Sequence, residues 1–426
     1  MAQTLKFGNK TWATKVGSTL AYNDENGNYK PLPFAFTRST SATRVNKEGL
    51  IEVVTNDRPR IDYTDTSDGV LLLEKAATNS INYSEDFNQW DAIRGNISLT
   101  ENAIISPDGT LNATKVFCSD NSVSDYAIFE IVTSGSKSFS LYAKKGELNY
   151  LFLGNDNSNS TNGVFFDLEN GLINKNESGF DASIKDVGNG WYRCSVYFTT
   201  ISYHFVCMSE DGQDFDLTNN QNNGIYIFGA QSETGNVASS YIPTQGSAST
   251  RVAETANGAG NSEVFSDSQG VLFCDIAANS DDGTYRFLSV SAGAYANSIR
   301  IGYFNTSNTI EFRVVAGGLP QTQPTHTLSN STIPTKIAGK YKANDFSLFV
   351  NGFKVDTDTS GTTPSGLSEL SFDDGNSSNN APFYGKTKEI GYYDTILTDL
   401  ELETLTSYKS WTSMVNELNL NIIYNG

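Results

Sequence analysis

Histidine, methionine and cysteine are scarce in this chain of 426 residues, with two, three and four copies respectively. Because the histidines are only His204 and His326, and no CxxC pair occurs, there are few possible ligands for a zinc cluster. No GxSxG, HExxH or glycine-rich phosphate-loop motif is present, and no Ser–His–Asp triad is credible. We therefore expect no enzymatic activity and no catalytic residue.

Basic residues are also few, since 29 Lys and Arg stand against 48 Asp and Glu, for a formal net charge of −19. Such a chain repels a phosphate backbone and contains no basic cluster, which excludes nucleic-acid binding. No apolar run approaches the roughly 20 residues that span a bilayer, so we expect no membrane insertion. The opening MAQTLKFGNK lacks the apolar core of a signal peptide, so we expect synthesis in the cytoplasm.

The four cysteines each lie in an apolar, strand-like run. This pattern favours small buried hydrophobic residues in a protein that folds in a reducing cytosol. A disulfide between Cys194 and Cys207 is the alternative. The four positions are Cys118, Cys194, Cys207 and Cys274.

The abundant residues are those of β-structure. The chain has 25 Phe, 21 Tyr and 36 Gly, and only 18% of its residues are charged. Aromatic residues suit a pleated, half-buried surface, glycine suits the turns, and so small a charged fraction argues against long solvated helices. The composition predicts an all-β fold.

The length predicts roughly two to four domains. Residues 1–80 are poor in long apolar runs and rich in proline and polar turns, which predicts an extended N-terminal arm. Short strand candidates separated by turns predict an antiparallel β-sandwich over 81–253 and a second one over 265–426. The small, polar residues 254–264 are typical of a linker.

Two local signals stand out in the second sandwich. Asn351-Gly352 separates two alternating apolar runs, which is the strongest short-range indication of a β-hairpin because both turn residues need φ > 0. Thr398 and Glu401 form a capping box, which predicts the start of a C-terminal helix. Leu402 would then point into the core.

Several runs together resemble bacteriophage structural proteins. The early runs resemble the arm at the start of phage fibre and receptor-binding proteins, the middle ones are similar to carbohydrate-binding jelly rolls, and the late one resembles laminin-G/concanavalin lectin domains. The resemblance covers nearly the whole chain, and the order of the runs is more specific than any one of them. The runs are FTRS at 36–39, GVLLLE at 69–74, GNGWYR at 188–193, SYIPT at 240–244 and LFVNG at 348–352.

The resemblance implies a virion structural protein, either a head or tail fibre or a decoration subunit. Such a protein lies on the virion surface, joins other virion proteins through its N-terminal arm, and acts in host attachment by binding cell-surface glycans. Phage fibres commonly assemble in threes, which favours a homotrimer, with a homodimer as the alternative oligomer. The other functional interpretations are a tailspike-type polysaccharide depolymerase and a purely structural capsid or tail decoration.

Sugar recognition needs an aromatic plate for the pyranose face and planar amides for the hydroxyl groups. Trp191 precedes an alternating strand, and we interpret it as a core anchor. The candidate glycan-binding residues are Trp90, Asn155, Asn157, Asn222, Tyr226 and Tyr303.

Clustered carboxylates are the only indication of a metal. Calcium takes several oxygen ligands, but neither acidic run completes an EF-hand pattern, so we expect no cofactor and keep calcium as the alternative. The acidic runs are Asp211, Asp214 and Asp216, and Asp373 with Asp374.

Overall fold

The computed structural model describes residues 4–20, 22–23, 30–121, 127–155, 160–215, 217, 220–375 and 380–417. The chain forms two compact units, each assembled from segments that are not contiguous in sequence. Unit 1 comprises Met1–Ser39, Thr55–Lys75 and Ala253–Gly426, and unit 2 comprises Thr40–Val54 and Ala76–Val252. The regular secondary structure of the described residues is almost entirely antiparallel sheet, which confirms the predicted all-β class.

The strands are numbered in chain order. The first half contains β1 Leu5–Gly8, β2 Ala13–Lys15, β3 Ser18–Leu20, β4 Tyr22–Asn23, β5 Lys30–Pro31, β6 Phe34–Thr37, β7 Ala42–Val45, β8 Ile51–Val54, β9 Arg60–Asp62, β10 Val70–Leu73, β11 Ala77–Asn79, β12 Ala92–Arg94, β13 Ile97–Ile105, β14 Leu111–Cys118, β15 Ala127–Lys145, β16 Tyr150–Gly154, β17 Gly163–Asp167 and β18 Leu172–Lys175. The second half contains β19 Asp181–Asp186, β20 Trp191–Ser209, β21 Gly224–Thr234, β22 Ser249–Arg251, β23 Thr255–Asn257, β24 Gln269–Ala278, β25 Arg286–Ser291, β26 Ser298–Tyr303, β27 Thr309–Ala316, β28 Leu319–Thr322, β29 Thr325–Thr327, β30 Thr335–Lys342, β31 Phe346–Val350, β32 Phe353–Asp358, β33 Glu369–Ser371 and β34 Gly385–Tyr393. Two helices follow, α1 Asp399–Thr406 and α2 Trp411–Glu417, and one 3-10 turn covers Phe87–Gln89.

Unit 1 is built around a ten-stranded sheet and a six-stranded sheet. The first has the order β32-β31-β30-β24-β34-β1-β4-β5, with β10 pairing β34 and β9. The second has the order β28-β27-β26-β25-β33, with β29 pairing β27. Their apolar faces share one core cluster, which contains Leu272 and Cys274 from β24 together with Leu288 and Phe312 from the six-stranded sheet.

Strand β24 has buried side chains on both faces of the ten-stranded sheet. Leu272 and Cys274 belong to the core cluster between the sheets, whereas Val271 and Phe273 belong to a second cluster with Leu402 of α1. Because successive side chains of a strand point to opposite faces, a fully apolar strand is buried on both. Helix α1 covers the second face.

Helix α1 begins as its sequence predicts. Thr398 accepts a hydrogen bond from the backbone N–H of Glu401, and the Glu401 carboxylate accepts one from the backbone N–H of Thr398. This is the predicted capping box, and it satisfies two otherwise unpaired donors at the helix start. Leu402 is fully buried, as expected.

Within the first 75 residues, 4–39 and 55–75 contribute strands to the sheets of unit 1, whereas β7 and β8 belong to unit 2. Strand β1 pairs along β34 through Leu5↔Tyr392, and β10 continues along the same edge of β34 through Leu72↔Lys386. The structure therefore divides the chain at other positions than the predicted boundary at residue 80, because these strands complete the sheet formed by the C-terminal half. The proposed role of residues 1–80 in virion attachment stays a prediction.

A buried ion cluster joins three distant segments of unit 1. Arg38 Nη1 donates to Glu254 Oε1 at 2.7 Å, and Arg60 donates to both oxygens of Glu254 and to Glu74 Oε2. Burial lowers the pKa of Arg60, but Glu254 and Glu74 outweigh this effect, so its pKa is raised. Glu254 opens the segment 254–264 that resembles a linker in sequence, yet its side chain is fully buried.

Unit 2 is built around another ten-stranded sheet, of order β13-β14-β21-β15-β20-β16-β17-β18, with β12 on β15 and β19 on β20. Strands β15 and β20 are long, with 19 residues each, and they pair with a register shift near Gly135. Two small sheets, β7–β8 and β11–β22, complete the unit. Trp191 is buried in a cluster with Tyr142 and Tyr241, which confirms its interpretation as a core anchor.

The cysteines are all free and buried, as their apolar surroundings predict. Cys194 faces the main core of unit 2, whereas Cys207 belongs to a separate cluster with Phe152 and Phe165. The alternative of a Cys194–Cys207 disulfide is therefore wrong. Burial also raises the pKa of the Cys194 thiol well above its usual value, which keeps this cysteine unreactive.

The predicted Asn351-Gly352 turn joins β31 and β32, with φ of 48° and 90° at the two residues. We expect Gly352→Val to lower the free energy of unfolding of unit 1 by about 1–3 kcal/mol. A Cβ at Gly352 would lie 3.3 Å from Cβ of Ser407, so valine adds a contact with the end of α1 to the backbone strain. Urea denaturation measures the loss.

The control is Gly317→Val, because Gly317 also has a positive φ, of 58°, but no atom lies within 4 Å of an added Cβ. This variant carries the backbone strain alone, and we expect a smaller loss. An unchanged free energy of unfolding in Gly352→Val would contradict the left-handed turn.

Candidate functional site

Two of the predicted aromatic contact residues are inside the units. The Trp90 ring packs against Phe87, and its Nε1 donates to the carbonyl oxygen of Tyr83 at 2.9 Å. Tyr303 is buried in unit 1, where its hydroxyl donates to the carbonyl oxygen of Ile276. Because neither ring presents a face to solvent, both leave the set of candidate glycan contacts.

Tyr226 and Asn222 are the two predicted residues that the structure brings together. Lys115 Nζ lies 5.9 Å from the centre of the Tyr226 ring and donates to the Asn222 carbonyl oxygen at 3.0 Å. The same ammonium group pairs with Glu147 at 2.8 Å. Asn222 itself is exposed and has a left-handed φ of 67°.

Tyr226 also lines a depression in unit 2 of about 550 Å³, here called the Tyr226 groove. Its walls are mainly aliphatic, and Ile105 and Leu111 are exposed beside it. Its polar lining residues are Ser106, Lys144 and Asn189, but Lys144 Nζ already donates to the Asn189 carbonyl oxygen at 2.6 Å and Ser106 Oγ donates to Asp108. The groove therefore offers apolar area and few polar groups for sugar hydroxyls.

The other predicted amides and the acidic runs give no assembled site. Asn155 follows β16, and its N–H donates to the carbonyl oxygen of Asn162; Asn157 and Asp216 lie outside the described residues. Asp211 Oδ1 accepts from the N–H of Gln213. Asp373 accepts from the N–H of Gly375 and from Asn257 Nδ2. Asp214 and Asp374 each have contacts of their own.

A pocket of about 250 Å³ lies in unit 1 where β29, β30, β31 and β32 meet, and it is here called the Phe353 pocket. Phe353 follows the Asn351-Gly352 turn directly, and its ring is 72% exposed. Val355, two residues later on the same strand, packs on the core of the unit and also lines the pocket. The full lining is His326, Thr327, Leu328, Ser329, Asn330, Ile333, Pro334, Thr335, Val350, Asn351, Phe353 and Val355.

Two amides are held in fixed orientations in this pocket. Asn351 Oδ1 accepts from the N–H of Lys336 at 3.0 Å, and Asn330 Oδ1 accepts from the N–H and hydroxyl of Thr332 at 2.8 Å. The Asn330 oxygen stabilises its own turn and the Asn351 oxygen binds the backbone of β30, so in each amide Nδ2 is left as a donor for a ligand. The His326 ring, half-buried on β29, adds a third polar group.

The sequence contains one signal that points to this pocket. On β32, Phe353 and Val355 alternate with Lys354 and Asp356, although this strand follows the fully buried β31. Single exposed aromatic residues are common on protein surfaces, so it is the pocket beside Phe353 that makes this residue a candidate contact. The composition of the loops does not reveal it, since Asn330 and Asn351 are two of many asparagines.

The one Ser–His contact recorded in the described residues is inaccessible to a substrate. His204 Nε2 lies 2.7 Å from Ser232 Oγ, and both residues are fully buried. Burial, together with a smaller effect of the nearby Lys137, lowers the pKa of His204 to about 3. The ring stacks on Phe139 at 4.0 Å, as expected of a histidine inside a strand.

Metal-binding clusters and membrane-spanning helices are both absent from the described residues. No group of three or more His, Cys, Asp or Glu side chains is placed to hold a metal ion among them. Within the same part of the chain, no helix has the length and apolar character needed to cross a bilayer.

No protein-family model matches the chain, and no curated protein does. Among solved structures, the CBM40 of Ruminococcus gnavus IT-sialidase bound to alpha2,3 sialyllactose is similar at 17% identity and a TM-score of 0.31, over 35% of this chain and 94% of that chain. The leech intramolecular trans-sialidase complexed with 2,7-anhydro-Neu5Ac follows at 18% identity and a TM-score of 0.30, over 36% of this chain and 27% of that one.

Mouse laminin alpha1 chain domains LG4-5 match at 12% identity and a TM-score of 0.23, over 61% of this chain and 82% of that chain. At such low identities and TM-scores, these similarities carry no argument about the function of this chain.

Proposed function

We propose that this protein is a non-enzymatic adhesin that binds saccharides through the Phe353 pocket. The observation that carries the proposal is the exposed Phe353 ring beside the oriented amides of Asn330 and Asn351. An aromatic face stacks on the apolar face of a sugar ring, and amide donors bind its hydroxyl groups. The Tyr226 groove has an aromatic ring but lacks a comparable set of free donors.

The size of the Phe353 pocket favours a short saccharide segment. Ligand pockets for drug-sized molecules measure roughly 300–1,000 Å³ and combine apolar walls with a few placed polar groups. The Phe353 pocket, at about 250 Å³, is just below that range and has this mixed lining. One or two sugar rings of a longer glycan would occupy it.

We further propose that the adhesin is a bacteriophage fibre or decoration subunit on the virion surface, where it attaches to host glycans. The support is the sequence resemblance of the runs at 36–39 and 69–74 to the arms of such proteins. The homotrimer rests on the same resemblance. Strands β1 and β10 pair within the chain, so they do not need a neighbouring subunit as a partner and add no support for a trimer. Several copies on one particle would raise avidity by roughly 10²–10⁴.

We expect Phe353→Ala to weaken binding of a neutral oligosaccharide, chosen from a glycan array with the intact protein, by at least tenfold. The substitution removes the stacking surface and leaves the amides in place, and tenfold corresponds to about 1.4 kcal/mol. Calorimetric titration measures the affinity. Tyr226→Ala is the matched control, because it removes the half-buried ring of the other depression, and we expect its affinity to be unchanged.

Two results would contradict the assignment. Loss of affinity in Tyr226→Ala alone would move the saccharide site to the Tyr226 groove. Absence of any glycan on the array would favour the purely structural decoration.

A depolymerase is the second candidate, and the raised pKa of one carboxyl favours it. Glu130 is buried beside Asp91, and burial together with Asp91 raises the pKa of Glu130 to about 7. A protonated carboxyl is what a glycosidase uses as general acid. Glu130 and Asp91 are hydrogen-bonded to each other, however, which is closer than the roughly 5–10 Å between the two catalytic carboxyls of such an enzyme. Release of reducing ends from host polysaccharide by the intact protein would establish this function in place of simple adhesion.

A further inference from the structure

The described residues that line the Phe353 pocket include no Asp, Glu, Lys or Arg. An ionised Asp or Glu only accepts hydrogen bonds, at about four sites, which suits the several O–H groups of a sugar. A Lys or Arg would supply the counter-ion that a charged sugar needs once it leaves water. The pocket therefore favours neither a charged ligand nor one whose polar groups are all hydroxyls.

The free polar groups of the pocket are mainly donors. Asn330 Oδ1 is bonded within its own turn and Asn351 Oδ1 to the N–H of Lys336, so each amide presents mainly the two N–H groups of its Nδ2. The His326 ring and the Thr327 hydroxyl can donate as well as accept. A carbonyl oxygen matches such donors because it only accepts, whereas a hydroxyl bound by them would still have its own O–H to place.

The same pocket has an apolar wall. Leu328 and Val355 are half-buried and pack on the core of unit 1, to which the buried Val350 belongs. Ile333 and Pro334, also half-buried, complete the wall. A methyl group held against this wall leaves water, which favours binding in proportion to the apolar area buried. An unsubstituted hexose has no methyl group to place there.

We propose that the Phe353 pocket selects sugars that carry an acetamido group, such as N-acetylglucosamine and N-acetylgalactosamine. The acetamido carbonyl oxygen accepts from Asn351 Nδ2, its methyl group packs on the apolar wall, and the sugar ring stacks on Phe353. One substituent thus matches both the free donors and the wall. The inference rests on the proposed saccharide function and deepens it by naming the class of sugar.

The test compares sugars that differ only at one carbon atom. N-acetylglucosamine is titrated against glucose, and N-acetylgalactosamine against galactose, with the full-length protein and saturation-transfer NMR. We expect at least one acetamido sugar to bind roughly tenfold tighter than its parent hexose, because it gains a hydrogen bond and buries a methyl group. Its acetyl methyl protons should receive strong saturation, since they contact the wall directly.

The decisive variant is Asn351→Asp. Aspartate keeps an oxygen to accept from Lys336, replaces the Nδ2 donor by a second acceptor, and tolerates the left-handed φ of 48°. We expect the acetamido sugar to lose roughly tenfold in affinity and the parent hexose to change little. If thermal unfolding shows that this variant is not folded, Asn351→Gly replaces it, since glycine also suits the left-handed backbone and removes the amide.

Asn344→Asp is the matched control. Asn344 also has a left-handed φ, of 60°, and its Oδ1 accepts from the N–H of Gly361, but it does not line the Phe353 pocket. We expect this variant to bind all four sugars as the unmodified protein does. An equal loss in Asn344→Asp and Asn351→Asp would show that the added charge, and not the missing donor, weakens binding.

The possible failures separate this inference from the proposed function. Equal affinity within each pair, reduced by Phe353→Ala, would overturn the acetamido preference and leave the saccharide site in place. An unchanged preference in the folded Asn351 variant would overturn the role of that amide. Absence of binding of all four sugars would overturn the inference, and the saccharide function would fail with it if the glycan array were also empty.

Discussion

A chain that begins at Thr40 is expected to lose the fold of unit 1 and to retain that of unit 2. The deletion removes β1 from the edge of β34 and removes five apolar side chains from the core cluster. Burial of each contributes about 1.5–3 kcal/mol, or roughly 7–15 kcal/mol together, which is comparable to the whole stability of a typical domain. The five are Leu5, Phe7, Leu32, Phe34 and Phe36.

Hydrogen exchange followed by mass spectrometry distinguishes the two units. Peptides from β24 and β34 should lose their protection in the shortened chain, whereas peptides from β15 and β20 should keep it. Unit 2 is the internal control, because all its segments lie between Thr40 and Val252. Full protection of β34 in the shortened chain would show that residues 4–39 are a separable arm after all.

Glu254→Gln should destabilise unit 1 by about 3–5 kcal/mol, the usual effect of removing one partner from a buried ion network. The Glu254 carboxylate accepts from Arg38, from Arg60 and from the backbone N–H of Glu74 at 2.9 Å. A neutral amide of the same size leaves two buried arginines short of one negative charge, and turns one acceptor into a donor. Urea denaturation monitored at unit 1 measures the change.

Glu263→Gln is the matched control in the same unit. Glu263 lies 4.0 Å from Lys30, and both side chains are more than half exposed to solvent. Exposed pairs contribute about 0–1 kcal/mol, so little change is expected. If Glu254→Gln cost no more than Glu263→Gln, the buried cluster would not be a source of stability.

The features predicted correctly from the sequence are those with local causes. The Asn351-Gly352 turn needs two left-handed residues, and the capping box of Thr398 and Glu401 needs a spacing of three. Both are complete within a few residues, so neighbouring sequence suffices. The all-β class follows in the same way from composition, because aromatic residues and turn formers act wherever they occur.

The assignment of segments to units has no such local cause. Nothing near Leu5 indicates that it pairs with Tyr392, since strand pairing depends on groups brought together only by folding. Glu254 illustrates the same limit: amid small polar residues it is typical of a linker, and only Arg38 and Arg60 make its burial favourable. These long-range ion pairs bury a residue that its neighbouring sequence assigns to an exposed linker.

The site was predicted less well because aromatic residues serve both core and surface. Trp90 and Tyr303 are residue types that commonly contact sugars, but here their polar atoms donate hydrogen bonds to backbone carbonyls inside the units. Phe353 looks like an ordinary strand residue, and only its place on an outer strand leaves its ring exposed.

The pairing of β1 with β34 has a consequence for synthesis. At roughly 5–20 residues per second, a ribosome would need roughly 20–80 s to make Tyr392 after Leu5. Unit 2 can fold once Val252 has emerged from the ribosome. At that point β1 and β10 are still unpaired, because β34 has not been made. Waiting strands with unpaired edges are prone to aggregation. The order of translation thus prevents unit 1 from completing its larger sheet until its last strand, β34, has been made.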